Sequence, residues 1–426
     1  MLRRSARPSA TGNRVEARIV APVSMPPHNL VSDIRGASRL VVDAGVHVTD
    51  LVESMHGTIA GIAGLVPGAS NERTRGLTGF VYRCVGGGMR LVGVGLDRAL
   101  GPVAGLAATR ERPATHETTL AVLNGVLGDH LAATGNPLAI TMSLRRNGMR
   151  LEPGSAAIRR AIPGAGSRVL IQAHGLCMHP LQWARGGRDH VAALGHELGY
   201  TNLHLHYNTG LHIAANGRAL AGMLERLVAE WPVAVDELVI VGHSMGGLVA
   251  RSAHHYGKAA GHAWPAALRK LVFLGTPHHG APLERAGNGL DALLGWSPYT
   301  RPFTRLGRAR SHGITDLRFG ILLEEDWRTR DRYAPMREDP RTPLPLPAGV
   351  ECYAVAAVRA ERHDAPAARL LGDGLVPLAS ALGEHEDARF ALAFPDDHRW
   401  VGSGLGHLDL LSSPQVFAQL GRWLER

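Results

Sequence analysis

The sequence predicts an α/β protein: a mostly parallel sheet flanked by helices, preceded by a helical region. Three observations predict it. Short apolar runs at 169–171, 238–241 and 271–274 show no polar alternation, the mark of strands buried on both faces. Stretches of helical period fall between such runs, for example 185–198 and 216–230. Glycine-rich turns, above all Gly242-His243-Ser244-Met245-Gly246-Gly247, join run to helix.

The elements follow in order. Residues 1–34 contain Arg, Pro and Ser without an apolar period and read as a flexible tail. From Ser38, Val41, Ala44, Val48, Leu51, Met55 and Ile62 recur at three- and four-residue steps, an amphipathic helix ended by Pro67 and Gly68. A second helix spans about 79–100, with Val81, Val85, Val92, Leu96 and Ala99 on one face; Gly86-Gly87-Gly88 marks a weak point or a close helix contact. A third spans about 117–133, using Leu120, Leu123, Val126, Leu127 and Leu131. Helices this closely linked suggest a small bundle over 35–135, whose apolar stripes pack in a core or dock on a partner or membrane surface. From 136 to 426 the text is that of the α/β domain. Asn147-Gly148 between extended runs predicts a hairpin, since both turn positions need positive φ. Further strands are expected at 202–207, 352–358 and 390–394.

Composition narrows the function classes. At roughly 150 residues per domain, 426 residues make one large domain or two to three smaller ones. The formal charge is +9, but the arginines are scattered and only Lys258 and Lys270 are lysines. A nucleic-acid surface would cluster them on one face, so no nucleic-acid partner is expected. Three distant cysteines, Cys84, Cys177 and Cys352, build neither a disulfide framework nor a cysteine-based zinc module. Arg3, Arg4 and Arg7 are followed by no apolar run before Pro22, so a secretory signal is not expected and a cytoplasmic location is.

Chemistry concentrates in the 242–247 turn. An apolar strand enters Gly-x-Ser-x-Gly and a helix-compatible run leaves it, the context of a nucleophile elbow presenting Ser244. A serine hydroxyl needs a base, an orienting acid and oxyanion donors. In this arrangement the acid and then the histidine follow the serine along the chain. Asp373, between glycines just beyond the 352–358 strand, is the candidate acid; Asp364, Glu384, Glu386 and Asp387 are its rivals. His407, in a glycine-flanked loop after the last strand, is the candidate base, with His385 and His398 behind it. The backbone N–H groups of Met245 and Leu176 are the candidate oxyanion donors, Leu176 lying in the loop that follows an early strand. His174 reads as a brace of that loop, and Cys177 as a packed thiol with no elbow around it. His196-Glu197 lacks the second histidine of a zinc-protease helix, because Tyr200 stands there; His204-x-His206 lacks a third ligand. No cofactor or metal is implied.

As a set, His174-Gly175-Leu176, Gly242-His243-Ser244-Met245-Gly246-Gly247, Gly275-Thr276-Pro277-His278-His279-Gly280, Gly372-Asp373-Gly374 and Gly406-His407 resemble the α/β-hydrolase-fold esterases and lipases. The Gly-Thr-Pro-His-x-Gly segment is similar to that of the GPI inositol-deacylase-like branch. The resemblance covers about 138–426. It departs at Ala281-Pro282, where a serine is frequent, and leaves the first 135 residues unassigned. It implies the α/β-hydrolase fold and ester hydrolysis through an acyl-enzyme, on a small-molecule ester or lipid, with peripheral contact to a lipid surface an open alternative. An acyltransferase using the same triad, or a binding protein with a vestigial core, are the rival readings. Residues 281–349, with Trp296, Phe303, Trp327 and a proline-rich end, are too long for a simple crossover and suggest a lid, with an ordinary helical connection ending in a Pro-rich loop as the alternative.

Overall fold

The computed structural model describes residues 27–62, 76–106, 110–111, 114–281, 311–328, 339, 341–361 and 371–425. Its centre is an eight-stranded sheet. In chain order the strands are β1 (Ser143–Arg146), β2 (Met149–Arg150), β3 (Arg168–Ala173), β4 (Thr201–His206), β5 (Glu237–His243), β6 (Leu268–Leu274), β7 (Glu351–Val358) and β8 (Arg399–Ser403). Their spatial order is β2-β1-β4-β3-β5-β6-β7-β8. From β4 to β8 every neighbouring pair is parallel, while β1 runs antiparallel to both β2 and β4. Asn147 (φ 50°) and Gly148 (φ 81°) make the expected tight hairpin between β1 and β2.

Alternation along the strands divides the core in two. Ile171, Leu203, Ile240, Phe273 and Ala354 point to the face covered by α4 (Ser155–Ala161), α6 (Ile213–Glu230) and α7 (Met245–Ala259), through Ile158, Leu220, Leu224 and Leu248. Leu170, Val239, Val241, Val272 and Tyr353 point to the other face, covered by α5 (His190–Glu197) and, at the C-terminus, α9 (Pro414–Leu424). Asp189 caps α5 by accepting the Ala192 N–H at 2.8 Å. Trp423 stacks on Tyr353 with ring centroids 4.7 Å apart. Each fully buried Leu or Ile contributes about 1.5–3 kcal/mol.

Two strand expectations change. Residues 390–394 form no strand and pair with none among the described residues: Leu392 donates to the Gly383 carbonyl and Phe394 packs edge-on against Phe273. The edge strand is β8, pairing with β7 from Arg399 to Ser403. As an edge it needs only a half-buried face, so Trp400-Val401-Gly402 lacks the apolar run that betrays a central strand.

The N-terminal helices also differ from their sequence patterns. α1 (Leu30–Ile62) begins before Ser38 because the Asn29 side chain caps it, accepting the Val31 and Ser32 amides. α2 (Gly76–Leu106) meets α1 where Gly93 lies against Val42 and Met89 against Gly45. A Cβ on Gly93 would come within 2.9 Å of Val42. Arg35 and Arg39 clasp Asp97 across this contact. With small residues turned to α1, the predicted apolar stripe faces outward: Val85 is 45% and Val92 67% exposed. α3 (Ala114–Ala133) buries Leu120, Ala121, Asn124, Gly125, Gly128 and Leu131, while Val126 is exposed. The face used is thus smaller and more polar than the leucine stripe. Asn124 makes this possible by donating to the Leu138 carbonyl and accepting the Ile140 N–H.

The suggested lid falls largely outside the described residues. Its described part packs on the core through Leu317, Phe319, Ile321, Leu322 and Leu323, with α8 (His312–Asp316) leading into it. No helix among the described residues is long and apolar enough to cross a membrane.

Candidate active site

β5 ends at His243, and α7 begins at Met245. Ser244 between them has φ 53° and ψ −123°, a strained conformation for a non-glycine residue. Two glycines make the turn possible. A Cβ on Gly242 would lie 2.5 Å from the Gly247 Cα, and one on Gly246 would lie 2.2 Å from the Ala173 carbonyl oxygen. The Ser244 N–H donates to the Leu274 carbonyl at 2.8 Å, tying the turn to the end of β6. Ser244 is half-buried while its neighbours on both sides are buried.

The loop after β3 passes over the serine. A Cβ on Gly175 would come within 3.0 Å of the Ser244 Cβ and 3.1 Å of the His243 Nδ1. The structure therefore brings the loop carrying Leu176 beside the first turn of α7, whose Met245 amide has no carbonyl partner within the helix. The loop is held from three sides. Cys177 takes positive φ (58°) and donates its N–H to Thr209 Oγ1. Tyr207 donates its hydroxyl to the His174 carbonyl and stacks on the His174 ring at 4.5 Å. α3 presses Gly125 against Cys177, where a Cβ would sit 2.2 Å from Sγ. His174 is fully buried, and burial pushes its pKa down to about 3, so its ring is neutral. For Cys177, too, burial raises the thiol pKa.

Asp373 sits in the turn after β7, between Gly372 (φ 54°) and Gly374 (φ 96°). Its Oδ1 accepts the Leu375 and Val376 amides at 3.0 and 2.8 Å. Its Oδ2 is 2.7 Å from His407 Nδ1, which donates to it. The His407 N–H also donates to the Asp373 carbonyl at 3.1 Å. Both side chains are buried, at 1% and 7% exposure. A Cβ on Gly275 would be 3.1 Å from His407 Cε1, so the imidazole borders the same Leu274–Gly275 peptide that anchors Ser244.

The rivals lie elsewhere. His398 bonds the Cys352 carbonyl and packs on Tyr353; His385 accepts the Asp387 amide; Asp387 pairs with Arg389. Asp364 lies outside the described residues. His204 pairs with Asp189 at 2.8 Å.

One residue of the site went unread in the sequence. His243 donates its Nε2–H to the His407 carbonyl at 3.2 Å, with ring centroids 4.7 Å apart. Burial and the neighbouring His407 hold its pKa well below the usual histidine value. Its place next to Ser244 is plain in the sequence, but its partner lies 164 residues away in the chain.

A mostly parallel eight-stranded sheet flanked by helices, with a tight strand-to-helix turn at the end of a central strand, is the α/β-hydrolase fold. Within that fold, residues 214–329, about a quarter of the chain, match the family model described as PGAP1-like alpha/beta domain. That segment includes the elbow and the Gly275–Gly280 loop. Among solved structures the chain is similar to the mature Bacillus licheniformis lipase BlEst2, at 15% identity and TM-score 0.40, covering 67% of this chain and 98% of that one. It is also similar to the Pyrococcus furiosus esterase Pf2001, at 13% identity and TM-score 0.35, covering 61% and 81%. Comparison with curated proteins gives no match.

Proposed function

We propose that this chain is a serine hydrolase of carboxylic esters, acting on lipid-like acyl esters through an acyl-enzyme. The observation that carries the reading is the convergence of an elbow serine and a buried Asp373–His407 pair on one peptide, Leu274–Gly275. Asp373 accepts the Nδ1–H hydrogen bond of His407, which fixes the tautomer that leaves Nε2 with a lone pair to act as base. Ser244 Oγ attacks the ester carbonyl and its proton passes to His407 Nε2. The Leu176 and Met245 amides bind the oxyanion, each worth about 3–4 kcal/mol in such sites. Collapse breaks the bond to the alcohol oxygen, which His407 protonates. Water, deprotonated by His407, then attacks the acyl-enzyme and releases the acid and Ser244. The sequence resemblance supports the same chemistry.

The test is a panel of p-nitrophenyl esters from short to long acyl chains, with Ser244→Ala as blank. Ser244→Ala should lose turnover by at least about 10⁴-fold and lose labelling by a fluorophosphonate. Labelling retained in the variant would place the nucleophile elsewhere.

A further inference from the structure

α7 carries a second unusual residue two turns beyond the elbow. The Arg251 side chain is buried, the residue only 4% exposed, and no carboxylate lies within ion-pairing distance of it among the described residues. Its Nη1 donates to His278 Nδ1 at 3.2 Å and its Nη2 to the Leu344 carbonyl, but Nε has no acceptor. Since His278 Nδ1 accepts, the neutral ring carries its proton on Nε2. That N–H is fully buried and also lacks a partner. Arg341 closes the other side, donating to the His278 carbonyl at 2.7 Å while paired with Asp339 at 2.6 Å. Between these residues lies a cavity of about 20 Å³, lined by Arg251, His278, Arg341, Thr342 and Asp326 among others. The one carboxylate on its wall among the described residues, Asp326, accepts the Thr342 amide and hydroxyl through Oδ1.

We propose that this cavity is a binding site for one small monoatomic anion of the halide class, chloride in the cell. Three features select that guest. The volume admits a single atom-sized species. The unsatisfied groups of Arg251 and His278 are donors, so the missing partner is an acceptor. The guanidinium is a buried charge without a counter-charge, which a neutral water does not supply. Burial, with Arg341 nearby, depresses the Arg251 pKa to about 9, so the charge persists at neutral pH. The anion would join α7, the Gly275–Gly280 loop and the 341–347 segment, and so stiffen the peptide bordered by Ser244 and His407. The site stands independently of the proposed ester chemistry.

The full chain is melted in sodium chloride, sodium bromide and sodium gluconate at one ionic strength. Chloride and bromide should raise Tm over gluconate by about 5 °C at roughly a hundredfold excess over Kd. In Arg251→Gln that difference should vanish. A crystal grown in bromide should show one anomalous peak against Arg251 and His278. Equal Tm in the three salts, or water alone in the cavity, overturns the proposal. A bromide peak without a halide effect on Tm marks an adventitious ion only and overturns it too. If Arg251→Gln does not fold, the salt comparison and the bromide crystal on the unaltered chain decide.

Discussion

At the scale of single residues, two side chains carry distinct jobs and each can be separated by experiment. Asp373 gives one oxygen to His407 and the other to two backbone amides. Asp373→Asn keeps the volume but presents an amide where Nδ1–H needs an acceptor, favouring the wrong tautomer. kcat should fall about 10³–10⁴-fold with the circular dichroism spectrum unchanged; activity near the original would remove Asp373 from the mechanism. His243 holds His407 by its backbone rather than its ring. His243→Leu deletes one buried hydrogen bond worth about 1.4 kcal/mol, so kcat should drop about tenfold while KM stays level. A change confined to KM would assign it a substrate contact instead. The serine, aspartate and histidine were legible because their neighbours are glycines at turns. His243 was not, because its partner is set by how loop and strand meet.

At the scale of elements, α3 is the part of the molecule whose role changes most between sequence and structure. Its leucines suggested one face, yet Gly125 and Gly128 face the core, against Cys177 and Asn208. A helix approaches a loop this closely only where Cβ atoms are missing. α3 therefore backs the loop that carries Leu176, the proposed oxyanion donor. Gly125→Ala should overpack that contact at a cost of about 1–3 kcal/mol, lowering Tm, and it should reduce kcat more than it alters KM. Loss of stability with kcat intact would make α3 a support without influence on the oxyanion loop. α2 teaches the converse. Its stripe of Val85, Val92 and Leu96 has the period of a buried face but lies exposed. Period reports amphipathicity, and the glycines chose which side meets α1.

At the scale of the whole molecule, fully buried neutral histidines couple folding to pH. His174, His243 and His278 are each fully buried, and burial lowers all three pKa values. The unfolded chain takes up protons near pH 6.5 while the folded chain does not. Their contribution is therefore complete above about pH 6.5 and is lost as pH falls toward the folded values. Each costs about 1.4 kcal/mol per pH unit over that range. Urea midpoints measured from pH 7 to 5 should fall steeply; a flat series would show that these rings are protonated in the native state. The sequence by itself determined the parallel sheet, the hairpin and the elbow, because each is written in local physics: continuous apolar runs, paired positive-φ residues, glycines around a serine. Tertiary structure alone decided which stripe of α2 is bare, which face of α3 is buried, that β8 rather than 390–394 forms the sheet edge, and that His243 serves His407. Those outcomes depend on close approach and on partners distant in the chain, which neither period nor spacing encodes.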